Sequence, residues 1–311
     1  NTDHPQVKAF LFEVARYWIE QGVDGWRLDV PSEIKDESFW VQFRAATKLP
    51  NNDAYLVGEI PSEAQDWLQG DMFDGVMNYQ FSAACVGFFG AGSRDETMIA
   101  GMMGLPEVPT LDAAGFAQRT KQLLEIYPRQ NVLAQLNLMD SHDMPRFLSM
   151  VSGNKKAFRL ATLFQMTYPG APCIYYGNEI GMMGGRDPDN RASFPWDESR
   201  WDHDLRDAFK TFIKIRHENP VLRTGEYVPI YAEGRQLLFL RHMEGVRMLV
   251  AINAGDAPWE LNVSVGDYLE EGTVFADLLG GDGAVIEEGH LRKRTLPPWE
   301  GAIFKPGMVT K

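Results

Sequence analysis

The sequence predicts an α/β domain built on a parallel sheet, followed by a smaller antiparallel β domain. In residues 1–224, helical patterns alternate with short apolar strands, which is typical of a parallel sheet covered by helices. From about Gly225 the pattern changes to short strands separated by turn residues, which is typical of an antiparallel domain. We therefore divide the chain into two domains, residues 1–224 and residues 225–311.

The elements of the first domain follow from hydrophobic periodicity. Apolar residues at helical spacing predict helices over 5–21, 37–48, 63–69, 113–127, 155–167 and 204–218. Apolar runs predict strands at GVDGWRLDV (22–30), AYLVGE (54–59), GVMNY (75–79), VLAQLNLMD (132–140) and APCIYYGNEI (171–180). In the second domain, strands are predicted at YVPIYA, QLLFLRH, VRMLVAIN, WELNV, TVFADLL and WEGAIF. The first domain thus contains about five strand-and-helix units.

Composition limits the classes of function. The chain has 311 residues, of which 44% are hydrophobic, enough for a full core. A net charge of -13 without clustered Lys or Arg argues against a nucleic-acid or anionic-membrane partner and against acidic substrates. Cys85 and Cys173 lie far apart without metal-ligand spacing, which favours a cytoplasmic over a secreted location. No apolar run reaches about 18 residues, so no membrane span is predicted.

Three predicted strands of the first domain end in carboxylates. Asp29 ends GWRLD, Glu59 ends AYLVGE, and Asp143 follows the strand VLAQLNLMD. The carboxyl ends of parallel strands open onto one side of a sheet, so these three acids are expected to converge. In the first strand, Arg27 shares a face with Asp29 because side chains alternate along a strand.

Three converging acids have three interpretations. They could bind a magnesium ion for enolate chemistry, hydrolyse a glycosidic bond, or serve only as helix caps and loop-end acids. Arg27 favours the second, because a neighbouring cation keeps Asp29 ionised as a nucleophile requires, whereas a metal site seldom places a fixed cation beside its ligand. His142 beside Asp143 suits hydrogen bonding to sugar hydroxyls.

Several ordered motifs resemble the α-amylase family of glycoside hydrolases. GWRLDV, VGEI and SHD are similar to three diagnostic regions of that family. NLMDSHDMPRFL and GAPCIYYGNEIGMMGGRDPDNRASFPWD most resemble its neopullulanase, cyclomaltodextrinase and maltogenic amylase group. IRHENPVLRTGEY resembles the passage from the last barrel helix into the C-terminal β domain. The resemblance covers essentially the whole chain.

The resemblance implies a (β/α)8 barrel, of which this chain carries strands four to eight, followed by an antiparallel β-sandwich. It implies that Asp29 is the nucleophile, Glu59 the general acid and base, and Asp143 the third acid, which stabilises the transition state. Arg27 and His142 would support these acids. A retaining mechanism would place the carboxyl groups of Asp29 and Glu59 roughly 5 to 5.5 Å apart.

The remaining candidate substrate-binding residues also follow from the resemblance. Asp187 and Arg191 in RDPDNR match positions that bind sugar on the non-reducing side of the cut, with an ordinary loop ion pair as the alternative. Tyr79 and Glu33 are further candidates. After the strand valine the neopullulanase group usually has Ala-Asn-Glu, where this chain has VPSE with Glu33 kept, and Pro61 stands where that group usually has Trp. These departures concern the leaving-group side of the cleft.

The implied function is hydrolysis, with transfer to sugar acceptors, of α-1,4 and α-1,6 glucosidic bonds in maltooligosaccharides, cyclodextrins, pullulan or starch. One rival is an exo-acting α-glucosidase or a sucrose- or trehalose-converting relative with the same residues. Another is a catalytically silent member that acts as an interaction subunit; its mark would be a lost acid, and all three are present. No cofactor is required, and calcium is expected only as a structural ion.

The count of five strand-and-helix units falls short of the eight that such a barrel needs. The family's first diagnostic region, with its Asn-His pair, is not found ahead of the first helix. We therefore expect the N-terminal remainder of the barrel to be a partner, as a separate chain, a cleaved fragment or a deleted part. An incomplete parallel sheet leaves exposed edges that are prone to associate, so a homodimer is a further candidate assembly.

Overall fold

The computed structural model describes residues 1–102 and 107–307 of the chain. Within these ranges the α-helices are α1 (Pro5–Glu20), α2 (Glu37–Lys48), α3 (Tyr79–Phe89), α4 (Glu96–Ile99), α5 (Ala113–Glu125), α6 (Arg129–Ala134), α7 (Phe147–Met150), α8 (Lys155–Thr167), α9 (His203–Glu218) and α10 (Val221–Thr224). The helices predicted over 5–21, 37–48, 113–127, 155–167 and 204–218 are confirmed to within two residues at each end. None of the helices in the described ranges is both long enough and apolar enough to cross a bilayer.

The first domain contains a run of five parallel strands within the described residues. They are β1 (Gly25–Leu28), β2 (Tyr55–Gly58), β3 (Gly75–Val76), β4 (Leu136–Leu138) and β5 (Ala171–Cys173). β1, β2 and β3 pair in parallel, as do β4 and β5, and a parallel bridge between Met77 and Leu136 joins the two groups. Among the described residues, the outer edges of β1 and β5 pair with no other strand. The strands therefore form an open part of a barrel wall.

The strand ends place polar side chains on one side of this wall. β1 stops at Leu28 and β2 at Gly58, so Asp29 and Glu59 are the first residues beyond neighbouring strands. The Glu59 backbone N–H still donates to the Leu28 carbonyl at 2.9 Å, which continues the ladder by one step and fixes Glu59 beside Asp29. The parallel register thus brings together residues that lie 30 positions apart in the chain.

The second domain is one long antiparallel sheet with a small ribbon. Its strands are β6 (Glu226–Glu233), β7 (Gln236–Met243), β8 (Val246–Asn253), β9 (Trp259–Glu260), β10 (Val263–Ser264), β11 (Val274–Asp277), β12 (Ala284–Glu287), β13 (His290–Arg292), β14 (Thr295–Leu296) and β15 (Glu300–Pro306). The eight-stranded sheet has the order β10-β13-β12-β11-β15-β8-β7-β6, and β14 pairs with β9. Residues 308–311 of the predicted second domain lie outside the described residues.

The two faces of this sheet belong to different cores. Leu238, Leu240 and Leu249 pack with the ribbon residues Trp259 and Leu296. The alternate residues Leu237, Phe239, Val250 and Ile252 join the core of the first domain, where Phe239 lies against Phe164 of α8 at 5.7 Å between ring centres. The period-two alternation of a strand therefore gives this domain a core of its own and a face that packs on the barrel wall.

Five predictions of elements need correction. The strand predicted over APCIYYGNEI ends at Cys173, and Asn178–Ile180 at the end of this segment is a 3-10 turn. The predicted helix over 63–69 is only a 3-10 turn, Gln65–Trp67, because such a short segment has no stability of its own as a helix. Part of VLAQLNLMD is helix α6, since a buried apolar run is ambiguous between helix and strand. GVMNY is a strand only to Val76, and Tyr79 begins a helix. WELNV is split into β9 and β10, and β12, β13 and β14 were not predicted.

Candidate active site

Arg27 lies between two of the three acids. Its Nη1 is 2.5 Å from Oδ1 of Asp29, and its Nη2 donates to Oε1 of Glu59. Its Nε also donates to the sulfur of Met77 at 3.4 Å, so all three guanidinium nitrogens have a partner. Because a planar guanidinium forms two charge-assisted contacts in a fixed geometry, Arg27 sets the spacing of the two carboxylates.

Glu59 and Asp29 have opposite environments. The Glu59 side chain is only 2% exposed, whereas that of Asp29 is 73% exposed. Burial raises the pKa of Glu59 above its ordinary value, and neighbouring Asp143 raises it further, while the Val30 N–H and Arg27 oppose this shift. Two carboxyl groups with divergent environments suit one proton donor and one nucleophile.

The turn after β1 delivers a backbone donor to Glu59. Val30 has φ 37°, a left-handed conformation that is unusual for a β-branched residue. In this conformation its N–H donates to Oε2 of Glu59 at 3.1 Å. Both carboxylate oxygens of Glu59 are thus held, one by Arg27 and one by this N–H, so the strained turn orients the proposed acid.

Asp143 is the centre of a second group. His142 Nε2 lies 2.9 Å from Asp143 Oδ2, and Arg191 Nη2 lies 3.1 Å from Asp143 Oδ1. Arg191 also donates through Nε to the His142 carbonyl at 2.9 Å, and its Nε lies 3.5 Å from Asp187 Oδ1. The sequence-predicted residues Asp143, His142, Arg191 and Asp187 therefore form one contiguous cluster.

Tyr79 and Glu33 are placed differently. Tyr79 is fully buried, and its hydroxyl lies 3.4 Å from Oγ of Ser141, which in turn accepts from the Asp143 N–H at 3.2 Å. The structure thus places Tyr79 beneath the loop that carries Asp143, not on its surface. Glu33 is exposed on the 3-10 turn Pro31–Glu33.

Several polar residues under the site were missed at the sequence level. Asp140 is buried and accepts from the Phe147 N–H and from Asn178 Nδ2, both at 2.6 Å. Arg146 is fully buried, donates to the Tyr176 carbonyl at 2.7 Å, and lies over the ring of Tyr175. Asp140 and Arg146 both lie in NLMDSHDMPRFL. Because charged side chains are rarely buried without partners, two charges within this apolar motif could have indicated a buried polar network.

The geometry bears on the choice between metal and sugar chemistry. Glu59, His142 and Asp143 each offer a ligand atom, and these atoms lie within 4.8 Å of one another, so the three could hold a cation. Asp29 is not in that group. The position between Asp29 and Glu59, where a metal bridging them would sit, is taken by the Arg27 guanidinium. This arrangement favours acid and nucleophile roles over an enolate-stabilising metal.

Comparisons with known proteins identify the class. The profile of the α-amylase catalytic domain matches residues 1–219, and that of the neopullulanase-like C-terminal domain matches residues 227–305. The parallel strands and the helices between them are part of the (β/α)8 barrel that forms the α-amylase catalytic domain. The chain belongs to the α-amylase family, with a neopullulanase-like C-terminal domain.

Relatives extend this result. A cyclomaltodextrinase from Bacillus sp is 43% identical over 256 residues, covering 81% of this chain and 43% of the relative. Neopullulanase 2 from Thermoactinomyces vulgaris is 39% identical over 308 residues, covering 98% of this chain and 49% of the relative. A crystal structure from Thermus thermophilus superposes with a TM-score of 0.94 at 42% identity, covering 98% of this chain and 64% of that one. The chain thus spans about half the length of these two curated relatives.

Proposed function

We propose that the protein containing this chain hydrolyses α-glucosidic bonds of maltooligosaccharides, cyclodextrins or pullulan, with retention of anomeric configuration. The observation that carries the proposal is the Arg27 bridge between an exposed Asp29 and a buried Glu59, whose pKa is raised. Membership of the α-amylase family and similarity to proteins named cyclomaltodextrinase and neopullulanase support the substrate class.

The proposed reaction has two steps. In the first, an Asp29 carboxylate oxygen attacks the anomeric carbon while Glu59 gives its proton to the glycosidic oxygen, so the leaving sugar departs as an alcohol. In the second, Glu59 takes a proton from water, and the oxygen of that water displaces Asp29 from the anomeric carbon. A sugar hydroxyl in place of the water gives transfer. Arg27 pairs with the Asp29 carboxylate, and Asp143 with His142 and Arg191 binds sugar hydroxyls in the transition state.

The Asp29→Asn variant tests this proposal, because the amide cannot form the glycosyl ester. We expect turnover of maltotriose, pullulan and β-cyclodextrin to fall by several orders of magnitude in the native polypeptide, while the thermal transition stays close to that of wild type. Asp187→Asn serves as a charge-matched comparison on the proposed sugar-binding loop and should raise KM more than it lowers kcat. Wild-type turnover by Asp29→Asn would refute the assignment.

The same measurements on wild type distinguish the rivals. Glucose released singly from maltotriose, or turnover of sucrose or trehalose without cyclodextrin, would indicate an exo-acting or sucrose- or trehalose-converting enzyme. Absence of turnover on every substrate, together with binding of a protein partner, would indicate a silent subunit. Proton NMR of the first product from cyclodextrin decides retention, since an α-anomer must appear first.

We further propose that three additional strands close the barrel against β1 and β5. Both outer edges carry no strand partner within the described residues, and the outer helix α1 exposes 63% of Phe10 and 47% of Trp18. Tyr17 of the same helix is also 49% exposed, and large apolar side chains exposed together on one element mark a contact surface. The N-terminal part of the barrel, in the same polypeptide or in another, is the partner that such edges fit.

A further inference from the structure

One short turn forms hydrogen bonds to the backbone of the loop that carries Asp143. The 3-10 turn Asp189–Arg191 lies across residues 142–144, and its middle residue, Asn190, is fully buried. The Asn190 Nδ2 donates to the His142 carbonyl at 2.7 Å and to the Met144 carbonyl at 2.9 Å. One amide group therefore binds the two carbonyls on either side of Asp143.

The orientation of this amide is determined by its partners. The reverse orientation would place its oxygen against two carbonyl oxygens, which repel it. The Asn190 Oδ1 is buried and has no hydrogen-bond partner within the described structure, so the amide is fixed by its donor side alone. A buried acceptor left without a partner costs free energy, so the two hydrogen bonds on the donor side must offset this cost for the amide to stay in place.

The 3-10 turn Asp189–Arg191 packs closely against Gly184. A side chain at Gly184 would come within 2.6 Å of the Asp189 carbonyl oxygen and 2.8 Å of the Asn190 Cα, so only glycine lets the turn approach this closely. Gly184 also accepts from the Arg146 N–H at 3.0 Å and donates to Ser149 Oγ at 2.9 Å. The turn and the segment after Asp143 are thereby joined into one packed unit.

We propose that Asn190 is a positioning residue for catalysis, which acts through Asp143. Its neighbour Arg191 contacts the carboxylate of Asp143 directly, whereas Asn190 sets the backbone from which that carboxylate and His142 project. The inference rests on the proposed function, in which Asp143 stabilises the transition state. A displacement of about 1 Å in a catalytic group can cost about 100-fold in rate, so two hydrogen bonds that flank Asp143 have kinetic importance.

Asn190→Ala tests the proposal in the native polypeptide. We expect kcat on cyclodextrin to fall about 10- to 100-fold with a small change in KM, because the substitution lets Asp143 move without removing a sugar contact. Gly184→Ala should lower kcat in the same way, since it displaces the turn from behind. Asn190→Ser retains one short donor and should recover part of the loss; if the Ala variant does not fold, this variant replaces it.

Asn131 provides a matched control. It is also a buried asparagine, its Nδ2 donates to the carbonyls of Asp74 at 2.9 Å and Phe73 at 3.4 Å, and its Oδ1 also has no partner in the described structure. It lies beside the start of β3, at the opposite end of the strands from the acids. Asn131→Ala should lower the thermal transition as much as Asn190→Ala does, while its kcat stays near that of wild type.

A double-mutant cycle separates positioning from general stability. In an Asp143→Asn background, measured with the activated substrate α-maltosyl fluoride so that the residual rate can be followed, Asn190→Ala should have no further effect on kcat. An equal fall in kcat for Asn190→Ala and Asn131→Ala, or the same fall with and without Asp143, would overturn the proposal. The proposed function would survive that result as long as Asp29→Asn remains inactive.

Discussion

At the scale of single residues, the site depends on one cation shared by two acids. Arg27 contacts Asp29 and Glu59 from the same guanidinium, and only Glu59 is buried. Burial and the cation therefore have opposite effects on Glu59. Desolvation raises the pKa of its carboxyl group, whereas the positive charge of Arg27 lowers it. The net shift is upward, which suits the proton-donor role proposed for Glu59.

Arg27→Ala should lower kcat by about 100-fold or more, since it removes charge stabilisation and the contact that spaces the two acids. Without the cation the pKa of Glu59 rises further, and because Glu59 must be protonated to act, the basic limb of the pH–rate profile should move to higher pH. Full pH–rate profiles on maltotriose measure both effects.

Arg44→Ala is the control for that substitution. Arg44 Nη1 pairs with Asp74 Oδ1 at 2.8 Å and has a side chain of comparable exposure, 21% against 31% for Arg27. It contacts the segment before β3, away from the acids. A basic limb that stays in place in Arg27→Ala, or one that moves equally in Arg44→Ala, would contradict the role given to Arg27.

At the scale of elements, the loop between β4 and α7 is the unit that carries His142 and Asp143. It is anchored at its root by Asp140, which binds the first N–H of α7 and the side chain of Asn178. Complete burial raises the pKa of Asp140 to about 6 from an ordinary value of 3.8. An acid at the base of the loop that carries Asp143 thus links the stability of this loop to pH.

The sign of this link follows from the raised pKa. The folded state binds the proton of Asp140 more tightly than the unfolded state, so its contribution to stability is present below pH 3.8 and is lost as the pH rises through about 6. We expect the free energy of unfolding of wild type to fall relative to that of Asp140→Asn over this interval. Urea unfolding at pH 4, 5, 6 and 7 measures the difference. Parallel curves for wild type and Asp140→Asn would show that Asp140 does not titrate as described.

Asp74 supplies the opposite case. Its pKa is lowered, because hydrogen bonds from the Leu56 N–H, Lys48 and Arg44 outweigh its burial. Its contribution is present above its ordinary pKa and is lost as the pH falls, so Asp74→Asn should cost more stability at pH 7 than at pH 4. The same urea series on Asp74→Asn measures this cost, and a larger cost at pH 4 would contradict the lowered pKa.

At the scale of the whole molecule, one face of the C-terminal sheet is continuous with the core of the barrel wall. Phe239 and Ile252 from the sheet pack into the same cluster as Phe164 and Leu163 of α8. Buried Arg241 of β7 donates through Nη1 to the carbonyls of Thr167 and Leu222, which ties the sheet to the ends of α8 and α10. The two domains therefore support each other.

Both edges of the barrel wall, at β1 and at β5, have no strand partner within the described residues. We expect the 311-residue chain expressed alone to self-associate, because the unpaired edges of β1 and β5 and the exposed apolar side chains of α1 can bind other chains. We also expect it to have little turnover, because its barrel is not closed. Light scattering and cyclodextrin assays, with the complete native polypeptide as the control, measure this. A monomer with cooperative unfolding and full activity would refute the barrel-closing proposal.

The sequence was sufficient for local features and for singling out three candidate acids. Helix α8 could be predicted at its observed bounds because its period is clear, and Asp29, Glu59 and Asp143 stood out because strands end where polar residues begin. It was insufficient where short apolar runs are ambiguous, as in α6, and where a strand of two to four residues carries little pattern, as in β13 and β14.

By itself, then, the sequence singled out Asp29, Glu59 and Asp143 as candidate acids at strand ends, and local alternation determined that Arg27 shares a face with Asp29. Only the tertiary structure decided that Arg27 also binds Glu59, that Glu59 is buried while Asp29 is exposed, and that Asn190 holds the Asp143 loop. The physical reason is distance along the chain. Asn190 is 48 residues from His142, and such contacts arise from the packing of loops on strand ends, which no local pattern encodes.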